Sequence, residues 1–142
     1  MIERFLYEKS VTYQECLIIP FVYSRIESQN IYSYVLLSEQ GYTSSLHQAE
    51  NPAQVYGQDL PGIIAIAQQH LDTQVTLEGS NYFRQRYTYR HNLIVIHQQG
   101  NKCFYDHYAP TKLINIAAPK LFSDPVGCVE WVKSGLERNQ IN

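Results

Sequence analysis

The sequence predicts an α+β domain with two layers, in which a mostly antiparallel sheet of about six strands carries two main helices packed on one face. Two observations favour this architecture. Residues 93–96, LIVI, form a short run of apolar and β-branched residues, which is typical of a strand covered on both faces. Two other segments place apolar residues at helical spacing behind an aspartate, which is typical of capped amphipathic helices.

The length of 142 residues fits one domain that is large enough to bury a single hydrophobic core. We identify no low-complexity segment, no internal repeat and no change in composition that marks a linker. The sequence therefore predicts one domain over residues 1–142.

The stretch from Tyr82 to Tyr108 is the predicted centre of the sheet. Side chains alternate across a strand, so residues of one parity share a face. The odd positions are mostly aromatic or apolar: Phe83, Tyr87, Tyr89, His91, Leu93 and Val95. The even positions are mostly basic or polar: Arg84, Arg86, Thr88, Arg90 and Asn92. We therefore predict an uninterrupted strand over residues 83–95, with a buried aromatic face and a solvated arginine face.

A turn follows at residues 98–101, because Gly100 tolerates positive φ at no steric cost. The next residues, Lys102 to Tyr108, then return as the antiparallel partner of the central strand. Residues 112–118 are a further predicted strand, bounded by prolines.

In the first half of the chain, residues 11–26 are β-rich and contain Pro20. Proline cannot donate to a ladder, so Pro20 is restricted to an edge or a bulge, and two shorter strands are predicted. A turn at residues 27–30 then leads into a strand over residues 31–38, which favours a hairpin.

Two helices are predicted. The first covers residues 59–71, with Asp59 as its cap and Pro61 in its first turn. Its apolar residues are Leu60, Ile63, Ile64, Ala67 and Leu71. The second covers residues 124–138 and begins with Asp124 and Pro125. Its apolar face consists of Cys128, Val129, Val132 and Leu136, with Trp131 at the flank.

The remaining predicted elements are short. They are one helical turn near residues 2–6 and two strands, at residues 42–46 and 75–78. Residues 48–58, QAENPAQVYGQ, have no hydrophobic period and are predicted as the longest loop, of the kind that covers a pocket.

Composition favours binding surfaces and a reducing compartment. The chain has 12 tyrosines, which are apolar in body and polar at the tip and therefore suit interfaces. Its cysteines, Cys16, Cys103 and Cys128, are odd in number and far apart, so they form no disulfide framework. We expect a cytoplasmic protein without a leader, a membrane span or a cofactor.

Charge is distributed unevenly along the chain. Residues 1–81 carry three bases against nine acids, whereas residues 82–120 carry six bases against one acid. Two halves that neutralise each other account for this pattern, and so does a basic face that binds an anion. Residues i and i+2 of a strand lie about 6.6 Å apart, comparable to neighbouring phosphates. The candidate anion or nucleic-acid site is Arg84, Arg86, Arg90 and Lys102.

Candidate catalytic residues are weakly indicated. His97 and Cys103 flank the predicted turn, where one register makes them cross-strand neighbours, as a base and a thiol must be. His107 is a further candidate on the next strand. The same two residues are equally explained by a buried structural cysteine next to a histidine at the end of its strand. His91 and His97 are about 20 Å apart on one strand at about 3.3 Å per residue, so no metal site is predicted.

The absence of catalytic motifs favours a non-enzymatic interaction or regulatory module, which binds a protein partner or itself through tyrosine-rich surface. Anion or nucleic-acid binding by the basic strand face is the alternative. A third hypothesis is a small enzyme that uses Cys103, His97 or His107 under the loop of residues 48–58.

Overall fold

A computed structural model describes residues 4–14, 16–38, 56–74 and 82–139. The chain divides into two compact units, Met1–Arg84 and Gln85–Asn142. Within the described residues, each unit contains a three-stranded antiparallel sheet and one α-helix of 15 residues. The prediction of an α+β fold with antiparallel strands and two main helices is confirmed, and the six described strands form two sheets. The single domain over residues 1–142 stays a prediction.

The first unit has strand order β1-β2-β3. Its elements are β1 (Val11–Tyr13), β2 (Cys16–Ile26), β3 (Gln29–Ser38) and α1 (Leu60–Gln74). Glu27 and Ser28 have φ values of 52° and 68°, and this pair of positive angles makes the two-residue turn that suits the strand twist. The predicted hairpin is therefore present.

Pro20 does not divide its strand. It lies within β2 opposite Tyr34, and its carbonyl oxygen accepts a hydrogen bond from the Leu6 amide at 2.9 Å. A strand residue directs its N–H and C=O to the same side, so the missing donor of Pro20 is on the side of Leu6. The β2–β3 ladder loses no bond. The division predicted at Pro20 is therefore absent, and the break between β1 and β2 lies near Gln14, whose φ is 55°.

The helix α1 covers one face of the first sheet. The shared core consists of Cys16, Ile18, Tyr34, Leu36, Ile63, Ala67 and Leu71. Asp59 caps α1 as predicted, because its Oδ1 accepts a hydrogen bond from the Gly62 amide at 2.6 Å. The Tyr13 hydroxyl at the end of β1 donates to Asp72 near the end of α1.

The second unit has strand order β4-β5-β6. Its elements are β4 (Arg86–Tyr89), β5 (Asn92–Gln99), β6 (Lys102–Tyr108) and α2 (Pro125–Asn139). The predicted turn at Gly100, whose φ is 66°, and the antiparallel return are confirmed. Asp124 caps α2 through a 2.7 Å hydrogen bond from the Gly127 amide.

The predicted uninterrupted strand over residues 83–95 is wrong. Arg90 and His91 have φ values of 50° and 65° and form a tight turn between β4 and β5. Neither residue type favours positive φ, and the turn is closed by the side chain of Asn92. The Asn92 amide donates to the carbonyl oxygens of Tyr89 and Arg90, at 3.2 and 3.0 Å.

This turn also overturns the predicted faces of the strand. Tyr87 lies opposite Ile94, which packs against α2, so both side chains are on the helix side of the sheet. Tyr87 is nevertheless 42% exposed. Arg86 lies opposite Val95, and both Val95 and Leu93 are fully buried. Arg86 is therefore on a buried face, and burial lowers the pKa of its guanidinium from the ordinary value.

Several predicted elements have other outcomes. The strands at residues 42–46 and 75–78 lie outside the described residues, as does the predicted loop up to residue 55. The strand at residues 112–118 is reduced to one bridge between Asn115 and Tyr108. Near the start of the chain, a short 3₁₀ helix occupies Tyr7–Lys9. Among the helices described, neither has the length and apolarity that a membrane crossing requires.

Candidate functional site

A cleft of about 320 Å³ lies in the second unit. One side of it is formed by α2, and the other by β6 and the segment that follows β6. Its lining residues are Tyr105, His107, Ile116, Ala118, Trp131, Val132, Gly135, Leu136 and Arg138. Volumes of this size accommodate a few side chains or a small ligand. The cleft is therefore the candidate functional site.

One wall of the cleft is the segment at residues 115–118, which is held along β6 by hydrogen bonds. The Ile116 amide donates to the His107 carbonyl at 2.8 Å, and the Ala118 amide donates to the Tyr105 hydroxyl at 2.9 Å. The Asn115 side chain accepts from the His107 amide at 2.9 Å. These bonds place the Ile116 side chain, which is 55% exposed, at the mouth of the cleft.

The opposite wall is aromatic. Trp131 of α2 is 40% exposed, and its ring lies 6.2 Å from the Tyr105 ring and 5.9 Å from the Phe122 ring, measured between centroids. The Lys120 ammonium lies 5.8 Å from the Trp131 ring centroid. A partly exposed indole of this kind is a frequent anchor for ligands and partner proteins.

Two lining side chains, Arg138 and His107, can bind a ligand through charge or hydrogen bonds. Arg138, in the last turn of α2, is the one cation among the lining residues, and no lining residue is acidic. The cleft therefore favours a ligand with negative charge. At its base lies the imidazole of His107, which belongs to a mostly buried residue.

The tautomer of His107 is set by Asn92. The Asn92 amide nitrogen already donates to two backbone carbonyls, so its Oδ1 is directed at His107 Nε2, 3.0 Å away. Nε2 therefore carries the proton and donates, which leaves Nδ1 as an acceptor. Burial lowers the pKa of His107 from the ordinary 6.5, which keeps the imidazole neutral near pH 7.

A second polar group lies on the other face of the same sheet. His97 Nε2 and Asp106 Oδ2 are 2.9 Å apart, and both residues are buried. The other carboxylate oxygen of Asp106 accepts a 2.8 Å hydrogen bond from the Asn115 amide. Asn115 thus connects this buried pair to the segment that forms the cleft wall.

The structure does not bring the predicted thiol and base together. His97 lies opposite Phe104, whereas Cys103 lies opposite Gln98, so the two side chains point to opposite faces of the sheet. Cys103 is fully buried, and burial together with Cys103 raises the pKa of the Cys128 thiol to about 11. Of the three candidate catalytic residues, His97, Cys103 and His107, the cleft is lined by His107.

The predicted basic row is also dispersed. Arg84 is exposed and ends the first unit, and Arg86 is half-buried in β4. Arg90 is in the β4–β5 turn, and Lys102 lies next to the β5–β6 turn. The eight residues of β5 separate these turns by about 25 Å at about 3.3 Å per residue. The sheet therefore does not present these side chains as neighbouring contacts for phosphates.

No three His, Cys, Asp or Glu side chains of the described residues are grouped as a metal site requires. His91 is exposed in a turn, and His97 and His107 are on adjacent strands but on opposite faces. The three cysteines are buried, and none of them forms a disulfide bond.

Several cleft residues were not predicted as functional from the sequence. Trp131 was placed only at the flank of its helix, although a sole tryptophan beside an apolar stripe is a usable signal. Asn92 was assigned to a solvated strand face, and Ile116 to a strand. Their roles depend on contacts between β5, β6 and the following segment, which the local sequence does not encode.

No family model matches this chain. No curated protein and no solved structure matches it either.

Proposed function

We propose that this protein is a non-enzymatic interaction module that binds a partner protein through the cleft of its second unit. The single observation that carries this proposal is the half-exposed Trp131 opposite Ile116, over a polar base formed by His107. Exposed aromatic and aliphatic anchors around a concave site are the usual centre of protein recognition.

The chemistry of the cleft defines the partner segment. Its walls take an apolar side chain, and Arg138 takes a carboxylate, so the expected ligand is a short acidic peptide with large apolar residues. Self-association, the other form of this hypothesis, requires a second copy to supply such a segment. We further propose a cytoplasmic location, because a protein with three buried cysteines and no disulfide among them suits a reducing compartment.

The anion or nucleic-acid alternative has less support, because the turns that carry Arg90 and Lys102 lie at opposite ends of β5. It stays a prediction, and retention on heparin at low salt tests it.

Fluorescence of Trp131 tests the proposal directly. The chain has one tryptophan, and it lines the cleft, so its emission reports occupancy. We expect saturable changes with synthetic peptides of Leu, Phe, Asp and Glu, about ten residues long, and none with peptides in which Lys replaces the acids. Sedimentation of the free protein shows whether a second copy occupies the cleft.

A matched pair of variants locates the binding. Ile116→Glu adds a carboxylate inside the cleft, whereas Val126→Glu adds one at a position that is 70% exposed at the start of α2 and outside the cleft. Ile116→Glu should weaken peptide binding about tenfold or more, and Val126→Glu should leave it unchanged. Equal binding by both variants, or no response of the unmodified protein, would overturn the proposal.

A further inference from the structure

The two units have the same order of elements. Each runs through three antiparallel strands and then into a 15-residue helix that packs on its own sheet. In each unit the central strand in space is also the second strand in sequence. A shared order of elements is common among small α+β units. Evidence that the two units are related therefore has to come from equivalent hydrogen bonds and equivalent residues.

The approach to each helix is the first fine correspondence. In the first unit, Gly57 and Tyr32 exchange two backbone hydrogen bonds, of 2.7 and 3.1 Å. In the second unit, Phe122 and Cys103 exchange two, of 2.7 and 2.8 Å. Gly57 and Phe122 each lie two residues before the aspartate that caps the following helix.

The helices correspond in the same way. Each begins with an aspartate whose Oδ1 accepts from the amide of a glycine three residues later. Near the other end, Asp72 of α1 accepts from the Tyr13 hydroxyl, and Glu137 of α2 accepts from the Tyr89 hydroxyl. Both tyrosines are the last residue of the first strand in their unit.

The sequences around these tyrosines also agree. Residues 12–18 read TYQECLI and residues 88–94 read TYRHNLI, so that Thr, Tyr, Leu and Ile recur at the same spacing. The sequence alone predicts no repeat, because β2 and β3 are each three residues longer than β5 and β6 and the segment before the helix also differs in length. No single offset therefore relates the two units.

Alignment of the two units pairs buried residues of unlike chemistry. The strand registers make Cys16 equivalent to Asn92 and Leu36 equivalent to His107. The same registers pair Phe21 with His97 and Val35 with Asp106. All of these residues are buried in their own unit. The second unit thus buries four polar side chains where the first buries apolar ones.

Burial of polar groups is costly unless hydrogen bonds compensate, and apolar residues of similar volume are often as stable or more stable. The first unit shows that the same arrangement of strands and helix forms with apolar residues at these positions. The arrangement of strands and helix therefore does not require polar residues at these positions, and a role in recognition explains the Asn92–His107 pair at the cleft.

We infer that the chain is a tandem duplication of one βββα unit, whose second copy has acquired a recognition site in which Asn92 holds His107 as an acceptor for a ligand N–H group. This inference rests on the proposed function, because the ligand is the peptide bound in the cleft. The backbone of such a peptide supplies the N–H donor. Among the described residues, no side chain or backbone group donates to His107 Nδ1.

The test gives the second copy the residues of the first. The double variant Asn92→Cys/His107→Leu loses the two Asn92 hydrogen bonds across the β4–β5 turn, so it should lower the urea midpoint only slightly. It should bind the acidic peptides about three- to tenfold more weakly, as expected for one lost hydrogen bond to the ligand. The reciprocal variant Cys16→Asn/Leu36→His is the control and should lower the midpoint sharply, because it buries the same groups in an apolar core.

Two outcomes overturn the inference. One is a double variant as destabilised as its reciprocal control, which would make the polar pair structural. The other is unchanged binding by the double variant while Ile116→Glu loses binding, which leaves the proposed function standing. If the unmodified protein binds no such peptide, the proposed function itself fails, and recognition by His107 fails with it.

Discussion

Both units join their sheet to their helix through an apolar core, but the second unit also buries imidazole, carboxylate and amide groups at sheet positions where the first unit buries apolar side chains. Both units place an aspartate at the start of the helix and a tyrosine–carboxylate hydrogen bond near its end. The shared contacts identify what the βββα arrangement needs. The contacts that differ identify what the second unit has added: the Asn92–His107 pair lies at the cleft, and the His97–Asp106 pair lies on the other face of the sheet.

The largest expected effect concerns the buried pair in the second unit. His97→Phe leaves the Asp106 carboxylate buried without its imidazole partner and should lower the free energy of unfolding by about 3 kcal/mol. The double variant His97→Phe/Asp106→Val recreates Phe21 and Val35 of the first unit and should recover at least half of that loss. Urea unfolding measures both. A double variant no more stable than the single one would contradict the equivalence of the two units.

Removal of either helix cap should lower the free energy of unfolding by a smaller amount, which should be similar for the two helices. Asp59→Ala and Asp124→Ala each remove the acceptor of one amide in the first turn of a helix, and each should cost about 1 kcal/mol. Urea midpoints of the two variants measure these losses. Replacement of the same residues by Asn should restore most of the stability, because Asn also accepts at this position. Losses that differ by more than a factor of two would show that the caps are not equivalent.

The pH dependence should be the smallest effect. Burial lowers the pKa of His107 in the folded protein below the 6.5 of an unfolded chain, so the unfolded state binds the proton more readily. Stability from this group is complete above the unfolded pKa and falls as the pH drops below about 6.5. Arg138 and Tyr105 line the cleft with His107.

Thermal melting between about pH 5 and pH 8 measures this dependence. His107→Leu should reduce the loss of melting temperature at low pH, and His91→Leu, at an exposed turn position, should not. An identical pH profile for the unmodified protein and His107→Leu would contradict the account.

The parts of the fold that local chemistry determines were predicted well. Asp59, Asp124 and the spacing of apolar residues located both helices to within a few residues, because a helix cap and a helical period are local signals. Gly100 located the β5–β6 turn for the same reason. The strands of the first hairpin followed from β-branched runs.

The parts that depend on distant contacts were not predictable. Arg90 and His91 are not typical turn residues, and the Asn92 side chain stabilises their turn through two hydrogen bonds to the backbone. The cleft exists because the segment after β6 folds back along that strand through Asn115. Such pairings join residues that are separated in the chain, so an alternating pattern read along one segment could not reveal them.

The amide spectrum of the labelled protein gives the most direct test of the claim that the second unit is the binding unit. Titration with the acidic apolar peptide should shift resonances of residues around the cleft, above all Ile116, His107 and Trp131, and should leave residues of α1 unchanged. Shifts centred on the first unit, for example at the exposed Tyr23 and Tyr56, would contradict it. A spectrum without any shift at saturating peptide would contradict it equally.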